Sequence, residues 1–237
     1  MDTLETELPR TKLQWDLYEK VLAENTKIPA RPIIGNHDVW GWGVPGQVPP
    51  ATPGWGKAMA VERLKIPERF YSFDAGGWHF ICLDNIAPRG NGYFASLDDE
   101  QTEWLKGDLA ANSKTPTCVA SHIPLLAACV FFNGGKGRMV ENHYHVPDAL
   151  MHREVKPVLD LFKPHNVKLA VSGHLHLVDR VDYLGTTFLC NGAVSGAWWK
   201  GPHQEFAEGY GVMDLWPDGR VEHQYVTYGW EAKRDEK

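Results

Sequence analysis

The apolar positions along the chain change period several times, and each change marks an element. Leu13, Leu17 and Val21, with Tyr18 and Leu22 beside them, recur at helical spacing and predict a helix over 11–24. Pro29 and Pro32 punctuate the next stretch, and Ile33–Ile34 read as a short buried strand ending at Gly35. Residues 40–56 are so rich in Gly, Pro and Trp that only a loop is expected, followed by a short helix over 57–65. FYSFDA and WHFICLDN, joined by Gly76–Gly77, predict a hairpin. A helix begins near Ser96, with Asp99 as its capping partner and Leu97, Trp104, Leu105 and Leu109 on its apolar face. Residues 118–121 form a strand that ends on His122, and 123–150 form a long polar and aromatic excursion of the kind that usually serves function. Val155, Val158, Leu159 and Phe162 mark a further helix before Pro164. Strands are expected at 167–172, 177–184, 186–190 and 210–216. The last pairs with RVEHQYVTY across the turn Pro217-Asp218-Gly219. Strands alternate with helices and then succeed one another, which predicts mixed α/β layers.

Length and charge narrow the class. At 237 residues the chain suits one domain spanning 1–237, and its net charge of −6 argues against a nucleic-acid polymer as partner. It leaves phosphate substrates open, because a bound dication inverts the local field. Cys82, Cys118, Cys129 and Cys190 contain no CxxC pair, so buried free thiols are expected rather than a thiolate metal site. No apolar run reaches membrane-spanning length and the first residues lack a signal pattern. As written the chain reads as cytoplasmic, or as exported if a signal preceded this start.

Three segments share one design: an apolar strand that ends in polar, metal-competent side chains. They are PIIGNHD, VASH and AVSGHLH. Ligands of α/β sheets sit beyond the carboxyl ends of strands, so three such ends can converge on one cleft. His174 and His176 stand two apart, which in extended backbone puts both rings on one side as candidate ligands; surface histidines are the plainer alternative. Asn36 offers a neutral oxygen ligand, His37 a proton, and Asp38 an orienting carboxylate, against the simpler reading of an Asx-turn or N-cap. His143 and His145 repeat the HxH spacing without a strand to support them.

In this order, GNHD, a strand-terminal His and GHxH resemble the calcineurin-like metallophosphoesterases, over essentially the whole chain. The resemblance implies an α/β/β/α sandwich of two mixed sheets flanked by helices. It also implies a dinuclear site of Fe, Mn or Zn and hydrolysis of a small phosphate monoester or diester. Carried over, Asn36, His122 and His174 are ligands of one metal and His176 of the other. His37 is the catalytic histidine near the leaving-group oxygen and Asp38 its partner. The family's pattern begins, however, with an Asp-x-His motif and a Gly-Asp motif whose aspartate bridges the metals. Neither occurs before Asn36, and Asp2 resembles only a trailing aspartate of the second. The domain is therefore expected to be incomplete at its N-terminus, missing its first strand or strands. It is expected to hold one metal weakly or none, with apolar strand edges left unpaired.

Aromatic loops flank the expected cleft. Packing accounts for most of their tryptophans, while Arg138, Tyr144, Asn191, Trp199 and Lys200 are candidate substrate contacts. A noncatalytic binding scaffold with a degraded metal site is the competing function. Truncation is the simpler account, because everything missing lies before one point. A β-lactamase-like metallohydrolase is excluded by the absence of HxHxDH.

Overall fold

The structure is a computed structural model that describes residues 7–43, 48–90, 92–132 and 137–233. Four helices and twelve strands are found among them. The helices are α1 (Leu8–Asn25), α2 (Ala58–Leu64), α3 (Asp99–Ala111) and α4 (Val155–Phe162). The strands are β1 (Tyr71–Ala75), β2 (Trp78–Cys82), β3 (Ile86–Arg89), β4 (Gly92–Ala95), β5 (Thr117–Ala120), β6 (Arg138–Val140), β7 (His143–His145), β8 (Val167–Ser172), β9 (Asp179–Tyr183), β10 (Thr186–Cys190), β11 (Gly209–Leu215) and β12 (Val221–Thr227).

Six strands form one mixed sheet in the order β1-β2-β5-β8-β10-β9. The pairings β2–β5, β5–β8 and β8–β10 are parallel, and antiparallel strands close both edges. Alternation along the central strands separates two layers. Val119, Ala170 and Phe188 face α3 and α4, against Leu105, Leu109, Val158, Leu159 and Phe162. Cys118, Leu169 and Leu189 face the other way, with Trp78, against Met213, Leu215 and Val221 of the β11–β12 hairpin. Trp78 Nε1 ties the layers by donating to Trp216 O at 2.7 Å. The mixed α/β layering expected from the sequence is thus present. Of the second sheet, the described residues contain the antiparallel β11–β12 pair.

Several local expectations are corrected. Ile33–Ile34 is not a strand among the described residues: Ile34 is fully buried, but the segment has no ladder neighbour and Pro32 offers no N–H. α1 lies where its periodicity put it but buries the other face. Trp15 and Thr11 are at 0% exposure, while Leu13, Leu17 and Val21 stay more than half exposed. The large indole at Trp15 removes more apolar area from water than any aliphatic on the predicted stripe. The cap of α3 is Asp98, whose Oδ1 accepts from Gln101 N at 2.9 Å; Ser96 donates instead to Glu154 at 2.8 Å. The Gly76–Gly77 hairpin forms as expected, both glycines at positive φ. The β3–β4 and β6–β7 hairpins had no clear signal: Pro88 sits inside the first, and strands of three residues make the second. All four cysteines are buried and free. No described helix is long and apolar enough to cross a membrane.

The topology matters for chemistry because β5, β8 and β10 run parallel. Their carboxyl ends lie on one edge, and the chain leaves that edge at Ser121-His122, Gly173-His174 and Asn191.

Candidate metal and catalytic site

Backbone clamps deliver each side chain to this edge. Beyond β5, Asn85 grips Ile123 twice, accepting from its N–H at 3.2 Å and donating to its carbonyl at 2.7 Å. Ser121 Oγ donates to the same carbonyl at 2.9 Å. His122, held between them, lies against Gly35, where an added Cβ would meet His122 Cε1 at 3.0 Å. Asn36, His37 and Asp38 form a single 3-10 turn. Asp38 Oδ2 accepts from Gly35 N at 2.9 Å and Asp38 N donates to Gly35 O at 3.0 Å, so this carboxylate shapes the turn that presents His37. Burial raises the Asp38 carboxyl above its usual range, opposed in part by the Gly35 N–H and His37.

The exit from β8 is not extended, as the HxH spacing suggested. His174 and His176 both adopt left-handed backbone, φ 67° and 59°, on either side of buried Leu175, whose N–H closes a tight turn onto Gly173 O at 2.7 Å. Each such non-glycine residue costs on the order of 1–3 kcal/mol, and strain of this kind gathers at functional sites. The turn sends the His174 ring to Asn36 and His122 and the His176 ring toward Trp198 and His203.

Three donor atoms converge. His122 Nε2 is 2.8 Å from Asn36 Oδ1, His174 Nδ1 is 3.2 Å from the same oxygen, and the two ring nitrogens are 3.1 Å apart. Ligands about 2.1 Å from one ion stand roughly 3.0 Å apart at right angles and roughly 3.4 Å apart in a tetrahedron. The observed triangle has the spacing of donors around one cation. Protonation agrees with this. His174 Nε2 donates to Ala149 O at 2.8 Å, which leaves Nδ1 as a lone pair aimed into the triangle. His176 Nδ1 donates to Gly196 O at 2.6 Å, which leaves Nε2 as its lone pair. Burial, with His174, His37 and His176 around it, holds His122 well below the usual imidazole range, and burial lowers His176 as well. Neutral imidazole is the form that binds metal. At most one proton could be shared among the three converging atoms, whereas a cation satisfies them all. The residues fit a metal. Among the described residues no group of three or more His, Cys, Asp or Glu gathers as a ligand set, so the donors here are two imidazoles and an amide oxygen.

A cavity of about 450 Å³ opens beside this triangle, lined by Gln14, His37, Asp38, His122, His176, Trp198 and Trp199 among others. Of the candidate substrate contacts, Trp199 alone lines it among the described residues. Arg138 and Tyr144 sit on the exposed β6–β7 hairpin, where Arg138 pairs with His145 and Tyr144 with Met139, and Tyr144 Oη donates to Phe131 O at 2.6 Å. Asn191 Oδ1 accepts from His223 Nε2 at 2.8 Å and fastens the β11–β12 hairpin to the strand end. Lys200 is exposed on the loop after Trp199. Trp40 and Trp42 are core residues. Asp2 lies outside the described residues.

The family model for calcineurin-like phosphoesterase matches residues 8–178. The chain belongs to the calcineurin-like phosphoesterase family. Its members are metallophosphoesterases, hydrolases of phosphoester bonds. Purple acid phosphatase 23 of Arabidopsis thaliana is 27% identical over 189 residues, 75% of this chain and 34% of that protein. A probable cyclic nucleotide phosphodiesterase of Xenorhabdus bovienii is 25% identical over 206 residues, 82% of this chain and 69% of that protein. The chain thus spans about a third of the plant relative's length and just over two thirds of the bacterial one's. The fold matches a dimetal phosphatase from Danio rerio with a TM-score of 0.57 at 16% identity, covering 93% of this chain and 80% of that one. It also matches a purple acid phosphatase from yellow lupin seeds, with a TM-score of 0.52 at 19% identity over 76% of this chain and 34% of that one.

The motif residues Asn36, His37, His122, His174 and His176 all line one continuous site. The sequence did not single out Asn85 or the carbonyls of Ala149 and Gly196. A backbone acceptor has no residue signature, and Asn85 carries none of the motif spacing.

Proposed function

We propose that this domain hydrolyses a phosphate monoester or diester at a metal centre held by Asn36, His122 and His174, with His176 as a ligand of a second ion. The convergence of Asn36 Oδ1, His122 Nε2 and His174 Nδ1 within 2.8–3.2 Å of one another carries the reading. Metal ions bound there supply Lewis acidity toward phosphoryl oxygens and lower the pKa of bound water toward neutrality.

The remaining work belongs to side chains of this chain. Ala149 O and Gly196 O keep two imidazoles in the tautomer whose lone pair faces the site. His37, on its 3-10 turn at the cavity wall, donates a proton to the leaving alkoxide. Trp198 and Trp199 wall the cavity and exclude water from one side of the substrate. A small phosphoester fits a cavity of about 450 Å³; a long polyanion is disfavoured by the charge of −6. The relatives' names, a phosphatase and a probable cyclic nucleotide phosphodiesterase, span both monoester and diester substrates. A binding scaffold has no need of three donor atoms converging on one point.

The test is turnover of aryl phosphate monoesters and diesters in Mn²⁺, for the wild type and for His37→Ala. The variant should lose roughly 10²–10⁴-fold in kcat with its metal content unchanged. Equal turnover would remove His37 from the mechanism. Absence of metal-dependent turnover in the wild type would count against hydrolysis by this chain.

A further inference from the structure

The second ion, on the reading above, has one ligand from the sequence motifs, His176. The loop between β10 and β11 brings another imidazole to it. His203 stands with its ring centroid 5.6 Å from that of His176 and the two planes at 73°. Two imidazoles ligating one ion at about 2.1 Å place their ring centroids roughly 3.2 Å from it, hence roughly 4.6–5.6 Å apart for ligand angles of 90–120°. The His122–His174 pair, at 4.9 Å and 69°, has the same edge-to-face arrangement. Both pairs line one cavity of about 140 Å³ together with Asn36 and His37.

We propose that His203 is a ligand of the second metal position, paired there with His176. The inference rests on the reading that this site binds metal, and adds a residue that lies outside every strand-end motif. The loop is built to bring it there. His203 and Phe206 exchange N–H to carbonyl bonds at 2.9 Å in both directions, which closes the loop on itself. Trp198, Trp199, Gln204 and Glu205 all take positive φ, four non-glycine residues within eight positions. Trp198 packs on both rings, 4.7 Å from His176 and 5.8 Å from His203, and fixes their relative tilt. The Gln204 side-chain amide lies 3.1 Å from His203 Nε2. With two imidazoles against the three donors of the first position, the second ion fills at the higher concentration.

The experiment is a cobalt(II) titration of the chelator-stripped chain, read by bound cobalt per chain and by visible d–d absorption. His203→Phe keeps an aromatic ring against Trp198 and removes both nitrogens. The wild type should take two cobalt ions in sequence, and His203→Phe should lose the later equivalent and its absorption band while keeping the first. His122→Ala should lose the first. A chain that binds one ion, abolished by His122→Ala and untouched by His203→Phe, overturns this inference and leaves the metal reading standing. A chain that binds none sinks both. Histidine ¹⁵N spectra of the wild type give the same answer without a variant: a His203 ring nitrogen should shift with the second equivalent, and a stationary His203 signal overturns the proposal.

Discussion

Acid stability should report one buried imidazole. His152 comes just after the loop whose Ala149 carbonyl fixes the His174 tautomer; it is 2% exposed and its Nδ1 has no hydrogen-bond partner. Burial pulls its pKa down from 6.5 to about 4, and Glu154, 4.0 Å from Nε2, offsets only part of that. The folded value lies below the unfolded one, so between pH 6.5 and 4 the unfolded chain binds more protons and stability falls as pH falls. Above that window both states are neutral and His152 contributes no pH dependence. At pH 5 the unfolded imidazole is protonated about thirtyfold over neutral and the folded one about a tenth, a difference worth about 2 kcal/mol. His152→Leu removes the titration and leaves a ring-sized apolar filling. Urea unfolding of both proteins at pH 7.5 and pH 5 is the assay. The wild type should lose about 2 kcal/mol more than the variant over that interval. Equal losses would refute the claim that His152 is held neutral by burial.

Local geometry sets two further outcomes. Gly35→Ala places a Cβ 3.0 Å from His122 Cε1 and 3.3 Å from Asp38 Oδ2 at a backbone that tolerates alanine; metal affinity should fall while the melting temperature changes little, as calorimetric titration and a thermal melt would show. Asp98→Ala removes the cap on the Gln101 N–H of α3 and should cost about 1 kcal/mol in urea unfolding with metal binding untouched.

The sequence exposed the site more fully than the layers around it. His122, His174 and His176 could be read because they follow apolar strands that the parallel sheet brings to one edge, and Asn36 and His37 because they follow the buried apolar run at Ile34. The β1–β2 hairpin was legible from its two glycines and α4 from its apolar spacing. The buried face of α1 was not, because one tryptophan outweighed three aliphatics on another stripe. The left-handed backbone at His174 and His176 escaped as well: neither is a glycine, and nothing in GHLH announces strain. The tautomer-setting carbonyls of Ala149 and Gly196 lie 25 and 20 residues from the rings they hold, in loops where the backbone of any residue supplies the same acceptor. His203 carried no ligand signature, because its approach to His176 depends on the path of a strained loop.

Calorimetric titration of the stripped chain with Mn²⁺, beside His174→Ala and Asn36→Ala, tests the metal centre most directly. A saturable isotherm for the wild type, lost or weakened at least tenfold in both variants while their folded spectra persist, is the result this structure predicts. A wild-type isotherm that either substitution leaves unchanged would contradict it.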